Sequence, residues 1–354
     1  MAQHFLRSRA ARSISVSQVS NMTDAEAEAK FIELRWFDNG GQPRCPHCGS
    51  VRVYTCPRRN GANRYRCRDC HRDFSVTSGT LFAGHKKSLK TYLLAIVVFC
   101  NDVKGKAALA MIREIDTEYK TAFILAHKLR EAMWQETAHL RSESGRIGGP
   151  GKLVQIDSVR IKASYRKKRL RKDKIHQAIE QIRKKEAKKK DVHIVALRQV
   201  PRKHDPDGDR IVTITEVFKS EHAMTGWVQS RIATGTTVHA DESSDWNDLD
   251  DIRGVRLRRI NHSLAYMEGG ISINADEWLF TRIRRSAHGH HHHIRGPYLH
   301  RYAQEMAWRD DHRRDSNGAQ VDALLRLALN SPPSPIFRGY WQRRGAKTGS
   351  QASP

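Results

Sequence analysis

No run of 18 apolar residues occurs in this chain, which argues against a membrane-spanning helix. Neither end carries the amphipathic Trp/Phe/Lys helix of a membrane-surface protein. The stretch MAQHFLRSRAARSISVSQVS has Arg and Ser but lacks the apolar core of a secretion signal, so residues 1–21 are expected to form a disordered basic arm. Acids are scarce: 38 Asp and Glu stand against 63 Lys and Arg, a net charge of +25, with a pI near 10.1. That balance selects a polyanionic partner, nucleic acid first, because each neutralised phosphate releases condensed counterions. Cysteine is sparse as well, and four of the six fall in two pairs, which suits a reducing compartment and metal ligation rather than disulfides.

With 354 residues, the chain is long enough for two or more domains. MTDAEAEAKFIELRWF (22–37) reads as a helix capped by Thr23 or Asp24, with Phe31, Leu34 and Trp36 available for packing. Two Cys-x-x-Cys knuckles follow, Cys45/Cys48 and Cys67/Cys70, separated by 18 residues. Each tight turn offers two sulfurs, and together they close a tetrahedral thiolate site, so 22–87 is expected to be a structural zinc ribbon with a preceding helix. Cys56 and Cys100 read as packing residues.

Over residues 88–141 the pattern is helical. LKTYLLAIVVFC reads as a buried helix; KAALAMIREI and EYKTAFILAHKLREAM then form two helices joined by a turn at Asp116 and Thr117, which is helix-turn-helix spacing. A plain helical bundle would look similar. In a strongly basic chain beside a zinc ribbon, the DNA-binding reading is favoured, with Lys120, Lys128 and Arg130 as the candidate contacts. SESGRIGGPGK has the glycine content of a linker at 142–151.

Beyond it the period shortens. KLVQIDSVRI (152–161), DVHIVALRQV (191–200) and RIVTITEV (210–217) read as strands, SEHAMTGWVQSRI as a helix capped by Ser220, and TTVHAD as a short strand ending on Asp241. This order predicts a mixed sheet. Asp157 sits inside the first strand, where a carboxylate is costly unless something pairs with it. Residues 162–190 carry 14 Lys or Arg against three acids and read as a solvated basic insertion. INADEWLFTRIRR predicts a helix from Asn274 through Arg285, with Asn274, Glu277, Thr281 and Arg284 on one face. On spacing alone, Asn-x-x-Glu is close to a capping box. The basic stretch GPYLHRYAQEMAWRDDHRRD predicts one more helix, and NSPPSP opens a tail at 331–354.

If the first and fourth strands are adjacent, Asp157, Asp241 and Glu277 can converge on one sheet edge, and clustered oxygens of this kind suit hard divalent cations. The 35 residues between Asp241 and Glu277 are similar to the spacing in DDE transposases. Taken in order, RWFDNGGQPRCPHCGS, YRCRDCHRDFSVTSGTLF, VQIDS, HADE, NHS, INADEWLFTRIRRSAHGHHHHI and YLHRYAQEMAWR make the chain resemble the zinc-ribbon transposases of bacterial insertion sequences, the ISXO-like group. The resemblance implies a ribonuclease H-like catalytic domain over 152–330. It also implies Mg²⁺ (two ions, or Mn²⁺) held by Asp157, Asp241 and either Glu277 or Asn274, with Glu277 favoured because a carboxylate offsets metal charge better than an amide. Arg282, Arg284 and Arg285 would meet DNA. The implied partners are double-stranded DNA, as terminal inverted repeats and target, and a second copy of the chain, in a bacterial cytoplasm at the nucleoid. The chain departs from the group at Ser158, where Glu is usual, and in the expanded basic stretch after it. Two rival readings differ in class: a non-catalytic DNA-binding regulator descended from a transposase, and a metal-dependent nuclease without strand transfer.

Overall fold

The computed structural model describes residues 5–58, 61–162, 191–201, 211–252, 254–260, 274–291, 294 and 296–341. The basic insertion at 162–190 (beyond Lys162) and the NHS segment at 261–263 lie outside them. The chain forms two compact units, Met1–Gln135 with Arg314–Pro354, and Glu136–Arg313.

In the first unit, α1 (Val16–Asn21) and α2 (Asp24–Arg35) each begin at a reciprocal capping box, Ser15 with Gln18 and Thr23 with Glu26. The arm expected over 1–21 is therefore ordered where it is described. Val19 is fully buried, and the Asn317 side chain accepts from the Ser13 and Ile14 amides and donates to the Ile14 carbonyl. The ribbon strands β1 (Val53–Cys56), β2 (Arg64–Cys67) and β3 (Asp73–Phe74) form an antiparallel sheet. Next come α3 (Leu89–Asn101), capped by Ser88, then α4 (Ala108–Glu114) and α5 (Tyr119–Glu136). The turn between α4 and α5 puts Asp116 at φ 45°, in the left-handed region. The apolar run of α3 is buried nearly all round, as its composition predicts. Phe31 meets Phe82 at a tilt and Phe82 meets Tyr92 edge-to-face in the core, with ring centroids 6.2 and 5.2 Å apart.

The second unit opens with the short α6 (Ala138–Arg141). The glycine-rich stretch expected to be a linker is packed: Ile147 bridges to Ile232, the Gly149 amide donates to Thr236 Oγ1, and a Cβ on Gly148 (φ 92°) would meet that Thr236 oxygen at 2.4 Å. The boundary between the units thus falls earlier, at Gln135. Five strands follow: β4 (Leu153–Lys162), β5 (Asp191–Val200), β6 (Val212–Phe218), β7 (Thr237–Asp241) and β8 (Arg256–Ile260). Their order is β6-β5-β4-β7-β8, with β4, β5 and β6 antiparallel and β7 and β8 parallel to β4. The mixed sheet and the β4–β7 adjacency match expectation. The edge strand β8 was not expected, because RLRRI spends three of five positions on Arg.

One sheet face, through Val154, Ile156, Val238 and Ala240, is covered by Met224 and Val228 of α7 (Glu221–Arg231), together with Trp246 and Leu249. The other, through Val159, Ile194 and Ala196, packs against Leu279, Phe280 and Ile283 of α8 (Asn274–Gly289) and against Leu299, Ala303 and Met306 of α9 (Leu299–Asp311). The helix α9 is not the solvated basic element its composition suggests. Arg198 reaches its buried Asp310, and Arg309 pairs with Glu305 at 3.0 Å. Pairing offsets part of the cost of taking these charges out of water, and losing one partner would leave the other uncompensated. The last helix, α10 (Asn317–Asn330), belongs to the first unit, where Val321, Leu324, Leu325 and Leu329 are buried. The expected catalytic domain at 152–330 thus loses its final helix, and Phe337 in the expected tail is buried.

Candidate functional site

The four knuckle cysteines converge, with all four sulfurs within 4.8 Å of one another. Cys45 and Cys70 lie 3.6 Å apart, as do Cys48 and Cys67. Tetrahedral zinc with Zn–S of about 2.3 Å would need sulfurs roughly 3.8 Å apart, so the set fits a structural zinc ion. Each knuckle also aims a backbone amide at its first sulfur, His47 at Cys45 and Asp69 at Cys67, both at 3.4 Å. The amides of Cys70 and Asp69 lower the Cys67 thiol, toward the thiolate that zinc requires, while Cys48, despite the Ser50 amide, is pushed up by burial and its sulfur neighbours. Gly49 (φ 77°) and His71 (φ 56°) turn the chain after the second cysteine of each knuckle. Cys56 and Cys100 stand outside this cluster.

On α5, Lys120 is exposed beside Tyr119, whereas Lys128 is half-buried and burial lowers its pKa. Arg130 corrects the expectation for that helix. It is 1% exposed, its guanidinium lies 5.4 Å over the Phe99 ring, and it donates to the Lys106 carbonyl at 3.0 Å. It braces α3 against α5 and has no surface to offer DNA.

In the second unit, the recorded β4–β7 ladder runs Leu153↔Thr237, Val154↔Val238, Gln155↔His239. Two residues further along each strand come Asp157 and Asp241. Side chains alternate along strands, so both aspartates fall on the face opposite Ile156 and Ala240, the face that α8 covers. The ladder ends two residues before them, at Gln155 and His239, and continuing its register sets the two aspartates at equivalent positions. Parallel strands present their carboxyl ends together, and in open α/β sheets that edge is where ligands bind. Asp241 is oriented from one side only: Oδ1 accepts from Trp246 Nε1 at 2.6 Å and from the Ser243 amide at 3.2 Å. Its Oδ2 makes no hydrogen bond among the described residues. Asp157 Oδ1 accepts from the Ser158 amide at 2.6 Å. Both aspartates are partly exposed. Sequence reasoning missed Trp246, fully buried; the available signal was a Trp five residues after a strand-end Asp.

Asn274 and Glu277 are the first and fourth residues of α8, which begins where expected and runs four residues past Arg285. Their side chains lie outside the described residues, as does that of His288. Position 277 shares a helix side with Thr281 and the exposed Arg284, opposite buried Leu279. Arg285 is also exposed, but Arg282 is turned inward to Asp310 at 3.2 Å. His290 and His291 follow the helix, the His291 ring resting on Tyr302 at 4.6 Å, and His292 and His293 lie outside the described residues.

No described helix is long and apolar enough to cross a membrane. A family model for a transposase zinc-ribbon domain matches residues 22–73. A second, for an ISXO2-like transposase domain, matches residues 151–311. An uncharacterized protein in transposable element ISH50 of Halobacterium salinarum is 26% identical over 146 residues, which cover 41% of this chain and 44% of that protein. The chain thus aligns with less than half of that relative's length. No solved structure matches. Through both matched domains, ribbon and transposase, the chain belongs to the zinc-ribbon, ISXO2-like transposases of insertion sequences.

Proposed function

We propose that this chain is a DNA transposase whose second unit has a ribonuclease H-like fold and whose chemistry centres on Asp157 and Asp241. The observation that supports this reading is that both aspartates come two residues past the last paired positions of adjacent parallel strands, on the face beneath the helix that Asn274 and Glu277 open. The donor set fits hard divalent cations: two partly exposed carboxylates, one of them with an oxygen left free while Trp246 holds the other. Asp157, Asp241 and Glu277, or Asn274 in its place, would hold two Mg²⁺ or Mn²⁺ ions. Such ions supply Lewis-acid activation of a hydroxyl nucleophile and stabilise the departing oxygen.

The zinc ribbon and the α4–α5 pair bind the terminal inverted repeats, with Lys120 on an exposed helix start. Arg284 and Arg285 sit on the exposed side of α8 and take backbone phosphates bidentately. In the first step, water displaces the 3′-oxygen from phosphorus at the element's end. In the second, that freed 3′-hydroxyl attacks a target phosphodiester in line, so one P–O bond forms as another breaks and the protein is never covalently modified. Two ends are held at once, so the working form on DNA is at least a homodimer.

The test is cleavage and strand transfer on duplexes carrying the element's ends. Asp157→Asn and Asp241→Asn each abolish both reactions and retain DNA binding. Cleavage surviving in either variant would refute the assignment. Cleavage without joining in the native chain would identify a nuclease, and binding without cleavage a regulator.

A further inference from the structure

The first unit carries a groove of about 580 Å³ against its first zinc knuckle. The walls are Arg35 at the end of α2 and Phe37 just beyond it, Arg44 and Cys45 at the knuckle, and Arg326 and Asn330 from the last turns of α10. Three arginines thus face one acid, Asp38, and Arg44 occupies that acid at 3.0 Å. Neither Arg35 nor Arg326 has a hydrogen bond or ion pair to its guanidinium among the described residues. Arg326 instead lies over the Phe37 ring, its Cζ 4.8 Å from the centroid, and Phe37 is 61% exposed. A guanidinium stacked on an aromatic face keeps its N–H edge free, which is the geometry used for phosphate recognition. Arg35 is half-buried, and burial disfavours its charge more than nearby Asp38 supports it, so an anion in the groove would relieve it further.

We propose that this groove binds a DNA backbone phosphate, with Arg35 and Arg326 clamping the phosphate oxygens and the Phe37–Arg326 stack taking the adjoining sugar or base. DNA is favoured over a free phosphate compound because the groove is open, adjoins the ribbon and lies on a chain of net charge +25. Aromatic stacking beside a cationic track is the general device for gripping a strand. The inference rests on the DNA-binding reading above and adds a position to it.

The experiment measures affinity of the zinc-loaded full chain for a mixed-sequence duplex several helical turns long, across a salt series. Arg35→Gln with Arg326→Gln is expected to weaken binding about tenfold and to lower the slope of log K against log salt by about one. Arg35→Lys with Arg326→Lys restores most of the slope, because it keeps the charge and loses only the planar fork. Lys30→Gln leaves the slope unchanged, since that side chain lies outside the groove and pairs with Asp322 at 2.8 Å. Zinc content and melting temperature are measured on every variant, and a double Gln variant that loses zinc is replaced by the two singles. An unaltered slope in a folded double variant, with the native chain binding DNA, overturns the phosphate clamp alone. If the native chain binds no duplex, the broader reading fails. Tight binding of inorganic phosphate or a mononucleotide, abolished by the same substitutions, would assign the groove to a free ligand and overturn the DNA assignment.

Discussion

Replacing Trp246 by Phe isolates one atom's contribution to the proposed metal centre. The indole is fully buried among Val238, Ala240 and Leu249, and its Nε1 donates to Asp241 Oδ1 at 2.6 Å. Phe fills most of the same space and removes the donor. The lost ring atoms cost about 2 kcal/mol at roughly 0.8 kcal/mol per buried carbon group. A hydrogen bond to a carboxylate contributes about 1.5–3 kcal/mol more, toward the low end here because Asp241 is partly exposed and water can replace the donor. At about 2–4 °C per kcal/mol for a unit of this size, the melting temperature should fall roughly 10 °C. The diagnostic effect is separate: an Asp241 held only by the Ser243 amide presents Oδ2 less firmly, and losing such a supporting bond raises the Mg²⁺ needed for half-maximal cleavage about 10–100-fold. Cleavage by the Trp246→Phe variant should therefore recover at high Mg²⁺. Trp227→Phe is the control, since Trp227 packs on Phe218 at 5.6 Å away from both aspartates, and it should cost stability without moving the Mg²⁺ midpoint. A Trp246→Phe protein that melts lower yet titrates with Mg²⁺ like the native chain would refute the positioning argument.

Cys67→Ser should release zinc and uncouple the ribbon from the cooperative melt of its unit, because zinc binding to such thiolate sites is about 10–16 kcal/mol of folding free energy; Cys56→Ser should retain the metal, as measured by zinc content. Lys120→Ala should reduce the salt slope of DNA binding by about one without changing the melting temperature. Arg130→Ala should do the reverse, costing about 2–3 kcal/mol through the lost Phe99 stack and Lys106 bond, read by denaturant melts. Asp311 gives the pH dependence. Its burial pushes the carboxyl up from 3.8 to about 7, against the opposing pull of Arg198 and the Thr213 hydrogen bonds. A folded value above the unfolded one means stability that is full below the unfolded pKa and is lost as pH rises through about 7. Asp311→Asn should accordingly flatten the decline in melting temperature between about pH 4 and pH 7, and an unchanged decline would remove Asp311 as its source.

Local pattern carried much of this architecture. The four cysteines declared their site because two short knuckles fix two sulfurs each, whatever surrounds them. The strands over 152–161, 191–200 and 210–217 were legible as apolar alternation, and α7 from the Ser220 cap, because those preferences act within a few residues. The order of strands, helix and strand already placed Asp157 and Asp241 on candidate neighbours. What no window of sequence held was which charges would be buried. Arg130 and the arginines of α9 look in sequence like Arg284, and only packing separates them. Arg198 finds Asp310 112 positions away, and Arg130 finds Phe99 and Lys106 across the helical core. The edge strand β8 escaped because its hydrogen bonds to β7, rather than any apolar period, hold it in place. The return of α10 to the first unit and the packing of the arm through Asn317 were likewise decided by contacts among distant residues. Propensity and spacing are short-range properties of the chain, while desolvation and pairing are settled only when the whole fold brings partners together.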